Sequence, residues 1–153
     1  MSELTHFEQR LSGLIEKLSP ANRRQLATKI AKELRVNQQQ RIKRQQAPDG
    51  TPYVARKAQS IRGKKGRVKR AMFTKLRTNR YMAAKGTQDA ATVAFVGQVQ
   101  RMARVHQYGL KDRPSRRSQW MQYYIRPLLG FSTADHQVVE DVIFSYVSQS
   151  TLF

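Results

Sequence analysis

Residues 47–53 read APDGTPY, and this rigid turn closes the helical first part of the chain. A proline pushes the residue before it out of the α region, so a helix that runs into this stretch must stop before Pro48. Asp49 and Gly50 then supply turn chemistry. A second short turn motif, residues 125–132 (IRPLLGFS), lies beyond a strongly basic middle segment. We therefore expect two turn motifs to organise the fold.

Two helices are predicted before the first turn. Apolar residues recur every three or four positions over residues 3–18, which places them along one face of a helix. Ser19 and Pro20 form an N-cap and a first-turn proline, so a second helix is predicted over residues 20–46. Its apolar positions, expected to pack on the first helix, are Leu26, Ala27, Ile30, Ala31 and Leu34. Beyond them the stripe thins to Ile42, so this end is expected to project from the core.

The middle of the chain alternates between cationic and apolar stretches. Residues 56–70 (RKAQSIRGKKGRVKR) are dense in Lys and Arg, which predicts a mobile cationic loop. Short, partly alternating runs predict antiparallel strands over residues 72–77, 80–85 and 92–97. A turn over residues 86–89 is expected to join the last two strands.

The last third is predicted to contain a short helix, a strand and a long helix. The short helix should end at Gly109, a residue suited to a left-handed stop. Residues 111–118 are expected to form a polar loop, and residues 120–125 an aromatic strand. Ser132 or Thr133 is expected to cap the closing helix. The apolar stripe of that helix is Val138, Val139, Val142, Ile143, Tyr146 and Val147.

These elements predict an α+β fold in a single domain over residues 1–153. An N-terminal helical hairpin spans about residues 3–46, and a small antiparallel sheet with a C-terminal helix spans about residues 72–149. A chain of 153 residues can bury roughly two thirds of its unfolded surface in one core. It contains no cysteine, which suits a reducing compartment. With no signal peptide pattern and no apolar run near the ~20 residues that span a bilayer, we expect a cytosolic protein with no membrane association.

The charge of the chain is concentrated in its middle. Lys and Arg total 29 against 10 Asp and Glu, a net charge of +19. Residues 41–117 hold 21 of the basic and 3 of the acidic residues, so nearly all of the excess lies there. Such a field attracts nucleic acid or an acidic protein surface. The cationic residues expected to bind a partner or DNA are Arg62, Lys64, Lys65, Arg67, Lys69, Arg70, Arg113, Arg116 and Arg117.

Aromatic side chains beside this charge have two interpretations. Trp120, Tyr123 and Tyr124 are typical of a core or a subunit contact, and the neighbouring arginines keep base stacking open as the alternative. No sequence-reading module is visible, so any nucleic-acid binding should be nonspecific. The composition is also compatible with an alternative function, that of a nucleic-acid-binding protein that acts on its own.

Catalysis is not expected from this sequence. A nuclease needs clustered carboxylates, whereas residues 41–117 contain only Asp49, Asp89 and Asp112, widely separated. His106 has no ligand at metal-binding spacing beside it, so we expect a packed or capping histidine. Arg126 is expected either to hold a buried carboxylate or chain carbonyls through its planar fork, or to lie on the surface. We expect no catalytic residue, metal, cofactor or small-molecule substrate.

Three motifs in a fixed order carry a family resemblance. They are residues 44–53 (RQQAPDGTPY), residues 103–109 (ARVHQYG) and residues 126–131 (RPLLGF), with Asp135 at the start of the last helix. The chain resembles the phage virion morphogenesis family over nearly its whole length. The motif residues expected to be structural are Pro48, Asp49, Gly50, Pro52, Tyr53, Arg104, His106, Gly109, Arg126, Pro127 and Gly130. Gly130 should not tolerate valine if it adopts positive φ.

The resemblance implies a role in building contractile-tailed bacteriophages or prophages. A member would finish the tail at its head-proximal end, so that the tail can join a DNA-filled head. The implied location is the tail or neck of the virion, after assembly in the cytoplasm of the bacterial host. In such an assembly we expect other tail, neck or connector proteins as partners, and the basic middle segment leads us to expect nonspecific contact with genomic DNA. A ring-forming homo-oligomer is also expected, because closed symmetry leaves no subunit interface unsatisfied.

Overall fold

The computed structural model describes residues 2–56 and 71–150, which fall into two compact units. Unit 1 comprises the described parts of residues 1–37, 83–94 and 131–153, and unit 2 those of residues 38–82 and 95–130. The loop predicted over residues 56–70 lies outside the described residues, except for Arg56. That the chain forms a single domain stays a prediction.

The described elements confirm the α+β class. In chain order they are α1 (Ser2–Glu16), α2 (Pro20–Lys43), β1 (Met82–Gly86), β2 (Ala91–Phe95), a 3-10 turn (Gly97–Val99), α3 (Gln100–Tyr108), β3 (Lys111–Asp112), β4 (Met121–Gln122) and α4 (Thr133–Ser150). The strands form two separate two-stranded sheets, β1 with β2 and β3 with β4. Among the described residues, no helix combines the length and the apolar character needed to cross a membrane.

Unit 1 is built on the apolar stripe of α2. Leu26, Ile30 and Leu34 are buried together with Ile143 of α4. Partly buried side chains of α1, the α1–α2 connection, β2 and α4 surround this cluster: Leu11, Leu14, Ile15, Leu18, Ala91, Val93, Val139, Val142, Tyr146 and Val147. The three-and-four spacing read from the sequence therefore identifies the core-facing sides of these helices.

Both long helices of unit 1 begin at a serine cap. The backbone N–H of Asn22 donates to Ser19 Oγ over 3.2 Å, as expected for the N-cap of α2. At α4 the cap is Ser132: the Asp135 N–H donates to Ser132 Oγ over 3.1 Å, and the Ser132 N–H donates to Asp135 Oδ2 over 2.9 Å. This reciprocal pair is a capping box. Asp135 is fully buried and also accepts from Asn37 Nδ2 over 3.0 Å.

Unit 2 contains the last turn and a half of α2, and this corrects one expectation. That end does not project from a core: Gln38, Arg41 and Ile42 are buried within unit 2. The apolar stripe thins there because the buried positions are polar and bind backbone groups. The other buried apolar side chains of unit 2 are Ala47, Met72, Leu76, Met82, Val99, Ala103, Val105 and Leu128.

Helix α2 ends three residues earlier than the proline rule predicted. It stops at Lys43 because Gln45 adopts the left-handed conformation, with φ 59°. The Gln45 N–H donates to Ile42 O over 2.8 Å, and the Gln46 N–H donates to Arg41 O over 3.2 Å. These two bonds form a Schellman motif, with glutamine where glycine is usual.

Three of the predicted strands differ from the structure. Residues 72–77 form tight turns instead of a strand, because Phe73 has φ 68° and the Met72 N–H and C=O both bond to the Gln45 side chain. The strand predicted over 80–85 begins two residues later, at Met82. The strand predicted over 120–125 shrinks to Met121–Gln122, which pairs antiparallel with Lys111–Asp112, a segment expected to be loop. Strand β2 lies within one or two residues of its prediction.

Candidate functional site

The motifs that carry the family resemblance meet in unit 2. We define the motif junction as residues 47–53, 104–109 and 126–130. The Tyr53 hydroxyl donates to the carbonyl of Pro127 over 2.9 Å, which joins the first turn to the second. Burial raises the pKa of Tyr53 to about 12, so the hydroxyl stays protonated and able to donate.

The first turn is held internally by short hydrogen bonds. The Ala47 N–H donates to Thr51 O over 2.8 Å, and the Thr51 N–H donates to Asp49 Oδ1 over 2.9 Å. The Thr51 bonds to the carboxylate hold the pKa of Asp49 below its usual value. Gly50 has φ 89°, and Pro52 forms an isolated bridge with Gln46. Asp49 and Gly50 therefore serve the turn, as the sequence predicted.

Gln107 of α3 organises the second turn. Its Oε1 accepts from the N–H groups of Leu128 and Leu129 over 2.8 and 3.0 Å, and its Nε2 donates to Leu129 O over 2.9 Å. Residues 123–130 belong to no helix or strand. One carboxamide thus supplies the partners that a sheet would otherwise provide.

Gly130 packs against the first turn. A Cβ at this position would lie 2.6 Å from Pro48 Cγ, too close for any side chain. The glycine does not adopt positive φ, so the expected reason for its intolerance of valine is corrected: close packing, not conformation, requires glycine. Gln38 Oε1 accepts from the Gly130 N–H over 3.2 Å, and Arg41 Nη2 donates to Gly130 O over 3.2 Å.

Arg126 binds chain carbonyls. Its Nε donates to Val54 O over 2.7 Å and its Nη2 to Ala55 O over 3.2 Å, while its side chain is only 5% exposed. Its guanidinium also lies 5.7 Å from the ring centre of Tyr124. Of the alternatives predicted for this arginine, the structure shows the one in which the planar guanidinium binds chain carbonyls. Burial and the nearby Arg56 lower the pKa of Arg126.

Helix α3 ends at the predicted glycine. Gly109 has φ 64° and ψ 56°, and its N–H donates to Val105 O. A Cβ there would approach Ile125, so both conformation and space favour glycine. Arg104 is exposed on the same helix.

His106 lies at the centre of an edge-to-face aromatic chain. Its ring is 4.8 Å from the ring of Phe73 and 5.2 Å from that of Tyr123, and Phe73 in turn meets Tyr53 at 5.6 Å. Burial, followed by the charges of Arg126 and Arg56, lowers the pKa of His106 to about 4. The Nδ1 atom is buried and has no hydrogen-bond partner among the described residues. The histidine is packed, as predicted.

A cleft of about 1000 Å³ opens beside the junction within unit 2. His106 and Arg126 contribute to its wall together with aromatic and methionine side chains. Among the described residues, no three His, Asp or Glu side chains are grouped closely enough to hold a metal ion. Three polar side chains of the junction, Tyr53, Gln107 and Arg126, are hydrogen-bonded to backbone groups. These bonds fix the conformation of the two turns beside the cleft.

The predicted cationic sites divide into two groups. Arg62, Lys64, Lys65, Arg67, Lys69 and Arg70 lie outside the described residues. Arg113, Arg116 and Arg117 are exposed on the segment between β3 and β4. The Arg113 guanidinium lies 4.9 Å from the ring centre of the exposed Trp120, so the two side chains form one cation–π pair.

Sequence reasoning missed the side-chain amides that hold unit 2 together. Gln45 bonds to both backbone groups of Met72, and Gln38 and Gln107 bond to the second turn. Gln45 and Gln107 lie within two of the motifs, which was the available signal, whereas Gln38 lies six residues before the first motif. Glutamine in a basic, polar stretch is typical of a solvated surface, so the spacing alone does not distinguish these residues.

Comparison with known proteins shows which family the chain resembles. A sequence model of the phage virion morphogenesis family matches residues 2–148. The tail completion protein S of Escherichia phage P2 is 45% identical over 150 residues, covering 97% of this chain and all of the relative. No solved structure matches. Since the match spans all three motifs and both units, the chain belongs to the phage virion morphogenesis family.

Proposed function

We propose that this protein is a tail completion protein: a non-enzymatic subunit that finishes the head-proximal end of a phage tail and allows it to join a head. The observation that carries the proposal is the 45% identity to a tail completion protein across 97% of the chain. The site of action is the tail or neck region of the virion, after assembly in the host cytoplasm. Its partners are tail, neck or connector proteins.

The chemistry of the motif junction supports a structural role. Tyr53, Gln107 and Arg126 use their polar atoms to bind backbone carbonyls and amides. Residues occupied in this way hold chain segments in place. A catalytic acid or base must instead keep its reactive atom within reach of a substrate.

The test is to delete the gene in the phage or prophage and to image the particles. We expect unjoined or abnormally long tails, and an antibody against the chain should label the head–tail junction of complete particles. The wild-type gene supplied from a plasmid should restore joining. Normal tails on the deletion strain, with no label on complete particles, would contradict the proposal.

We further propose that the protein acts as a homo-oligomeric ring. Residues 108–125, from the end of α3 to just beyond β4, expose several large apolar side chains: Tyr108, Leu110, Trp120, Tyr124 and Ile125. A group of large exposed apolar side chains on one segment often marks a surface that another chain covers. Charge introduced there should separate the subunits.

Light scattering on the purified protein measures its mass in solution and so tests whether it forms an oligomer. We expect a mass of several subunits for the wild type and a lower mass for Ile125→Glu, whose side chain is 63% exposed in the monomer. Val36→Glu is the matched control, because Val36 is also half exposed but lies on α2 in unit 1. A monomeric wild type, or equal effects of both substitutions, would contradict the proposed interface.

Nonspecific DNA contact is the second candidate function, and the Arg113–Trp120 pair with exposed Arg116 and Arg117 favours it. If DNA is bound through phosphates, log K falls by about 0.9 per contact for each decade of salt. Replacing Arg113, Arg116 and Arg117 by Ser should flatten that slope. A slope unchanged by this triple substitution would remove this segment from DNA binding.

The basic run outside the described residues has its own test. Replacing Lys64, Lys65, Arg67, Lys69 and Arg70 by Ser should leave the melting temperature unchanged and block tail joining. A normal yield of infectious particles from this variant would show that the run has no part in assembly.

A further inference from the structure

The cleft of unit 2 combines apolar walls with uncompensated positive charge. Met72, Leu76, Met102 and Met121 supply flexible apolar surface, and methionine-rich surfaces adapt to varied side chains. The described residues that line the cleft include three cations and no carboxylate. Such a lining favours a ligand that is apolar and anionic at once.

Arg126 is the deepest of these cations. A buried guanidinium normally pairs with a carboxylate, because an isolated charge loses its hydration without compensation. Here its hydrogen bonds go to the neutral carbonyls of Val54 and Ala55, and its Nη1 atom bonds to no described residue. Residues 57–70 contain no Asp or Glu, so that segment has no side-chain carboxylate to offer.

Two further cations lie at the cleft within reach of solvent. Arg56 and Lys75 are both exposed and both line it. Arg56 also acts electrostatically on Arg126 and His106, because its charge contributes to the lowered pKa of each. Arg56 and Arg126 thus lie close enough for their positive charges to reinforce each other at the cleft.

We propose that this cleft binds an acidic segment of a partner protein, in which a carboxylate stands next to an aromatic or aliphatic side chain. The carboxylate would pair with Arg126, Arg56 or Lys75, and the apolar side chain would pack on the methionines. Charge-assisted bonds from a guanidinium to a carboxylate are among the stronger hydrogen bonds.

A single nucleic-acid strand fits the cleft less well. Strand-binding proteins use exposed aromatic faces on which bases stack. Here Phe73, His106 and Tyr123 meet edge to face at 4.8 and 5.2 Å, so these three rings pack mainly on each other. The exposed Tyr124 ring has the Arg126 guanidinium 5.7 Å from its centre. A phosphate chain would also leave the apolar wall of Leu76 and Met102 without an apolar partner.

The inference rests on the proposed function in one respect: a virion partner would supply the acidic segment. The two can fail separately. Peptide binding in vitro would stand even if deletion of the gene left tails normal. Defective tails on the deletion strain would keep the proposed function even if no peptide bound.

The test measures fluorescence anisotropy with the full-length protein and a short labelled peptide made of Asp-Phe and Glu-Leu pairs. A matched peptide replaces Asp by Asn and Glu by Gln, and an oligothymidylate serves as the nucleic-acid probe. We expect the acidic peptide to bind more than about ten-fold more tightly than the amide peptide, since each lost ion pair weakens binding.

Two sets of variants locate the site. Met102→Glu adds a carboxylate at a cleft position that is 53% exposed, and should weaken acidic-peptide binding by more than about ten-fold. Arg56→Ser with Lys75→Ser should weaken it between about two- and thirty-fold. The control is Lys43→Ser with Lys111→Ser, which removes two exposed charges of unit 2 outside the cleft and should have little effect.

NMR provides a second readout. Peptide binding should raise the titration midpoint of His106 above about 4, because a carboxylate near Arg126 and Arg56 offsets their charges. Equal binding of the acidic and amide peptides, or binding insensitive to Met102→Glu and to Arg56→Ser with Lys75→Ser, would overturn the proposal. Tighter oligothymidylate binding that is lost with the same variants would assign the cleft to nucleic acid instead.

Discussion

At the scale of single residues, side-chain amides and the guanidinium groups of Arg41 and Arg126 replace missing backbone partners. The second turn runs through unit 2 outside any sheet, and Gln107 and Arg126 anchor it to α3 and to residues 54–55. Buried backbone groups left without a partner are costly, so these side chains define the local conformation.

Replacing Gln107 by Leu should destabilise the protein by about 2–4 kcal/mol. The substitution keeps the shape but leaves two N–H groups and one carbonyl of Leu128 and Leu129 without a bond. Urea unfolding measures the change. Gln100→Leu on the same helix is the control, since it removes one exposed bond to Phe95 O. A loss no larger than that of the control would contradict the role of Gln107.

His106 should make the protein less stable at acidic pH. Its folded pKa of about 4 lies below the ordinary value near 6.5, so the unfolded chain takes up a proton first as the pH falls. The stability that the protein gains from a neutral His106 is complete above about pH 6.5 and is lost as the pH falls from about 6.5 to about 4. The free energy of unfolding should therefore drop less for His106→Phe than for the wild type over this range. Parallel pH profiles of the two proteins would refute the assignment.

At the scale of elements, helix ends decide where the chain turns. Gln45 closes α2 in a left-handed conformation that disfavours side chains, yet its carboxamide bonds to Ile42 O and to both backbone groups of Met72. Those bonds offset the strain, which is about 1–2 kcal/mol for a residue with a Cβ.

Gln45 therefore gives an unusual order of stabilities. Gln45→Ala and Gln45→Gly both lose the carboxamide bonds, but only alanine keeps the left-handed strain. We expect the alanine variant to be about 1 kcal/mol less stable than the glycine variant, the reverse of the order inside a helix. Thermal unfolding of the two variants measures which of them is more stable. If alanine proves the more stable, Gln45 does not hold positive φ.

The capping box should be the main local determinant of the start of α4. Ser132→Ala removes the acceptor for the Asp135 N–H and should cost about 1 kcal/mol. Chemical denaturation measures this loss. Ser145→Ala, at an exposed position within the same helix, should leave stability unchanged or slightly higher. Equal effects at both positions would mean that the cap contributes nothing.

At the scale of the whole molecule, periodic patterns were predictable and long-range polar bonds were not. The stripes of α2 and α4 and the glycine stop of α3 follow from local spacing, and the structure confirms them. The strand expected over 72–77 does not form, because the side chain of Gln45, 27 residues earlier, is hydrogen-bonded to the backbone N–H and C=O of Met72. No local pattern encodes a bond of that separation. The cleft likewise depends on segments brought together by folding, so composition indicated its charge but not its location.

The central claim, that this chain completes phage tails, is tested most directly by adding the purified protein to a lysate of the gene-deleted phage. Infectious particles should appear in proportion to the protein added. A Gln107→Leu preparation should restore fewer, because its second turn is destabilised. No recovery at any concentration of folded wild-type protein, in a lysate that contains heads and unjoined tails, would contradict the account.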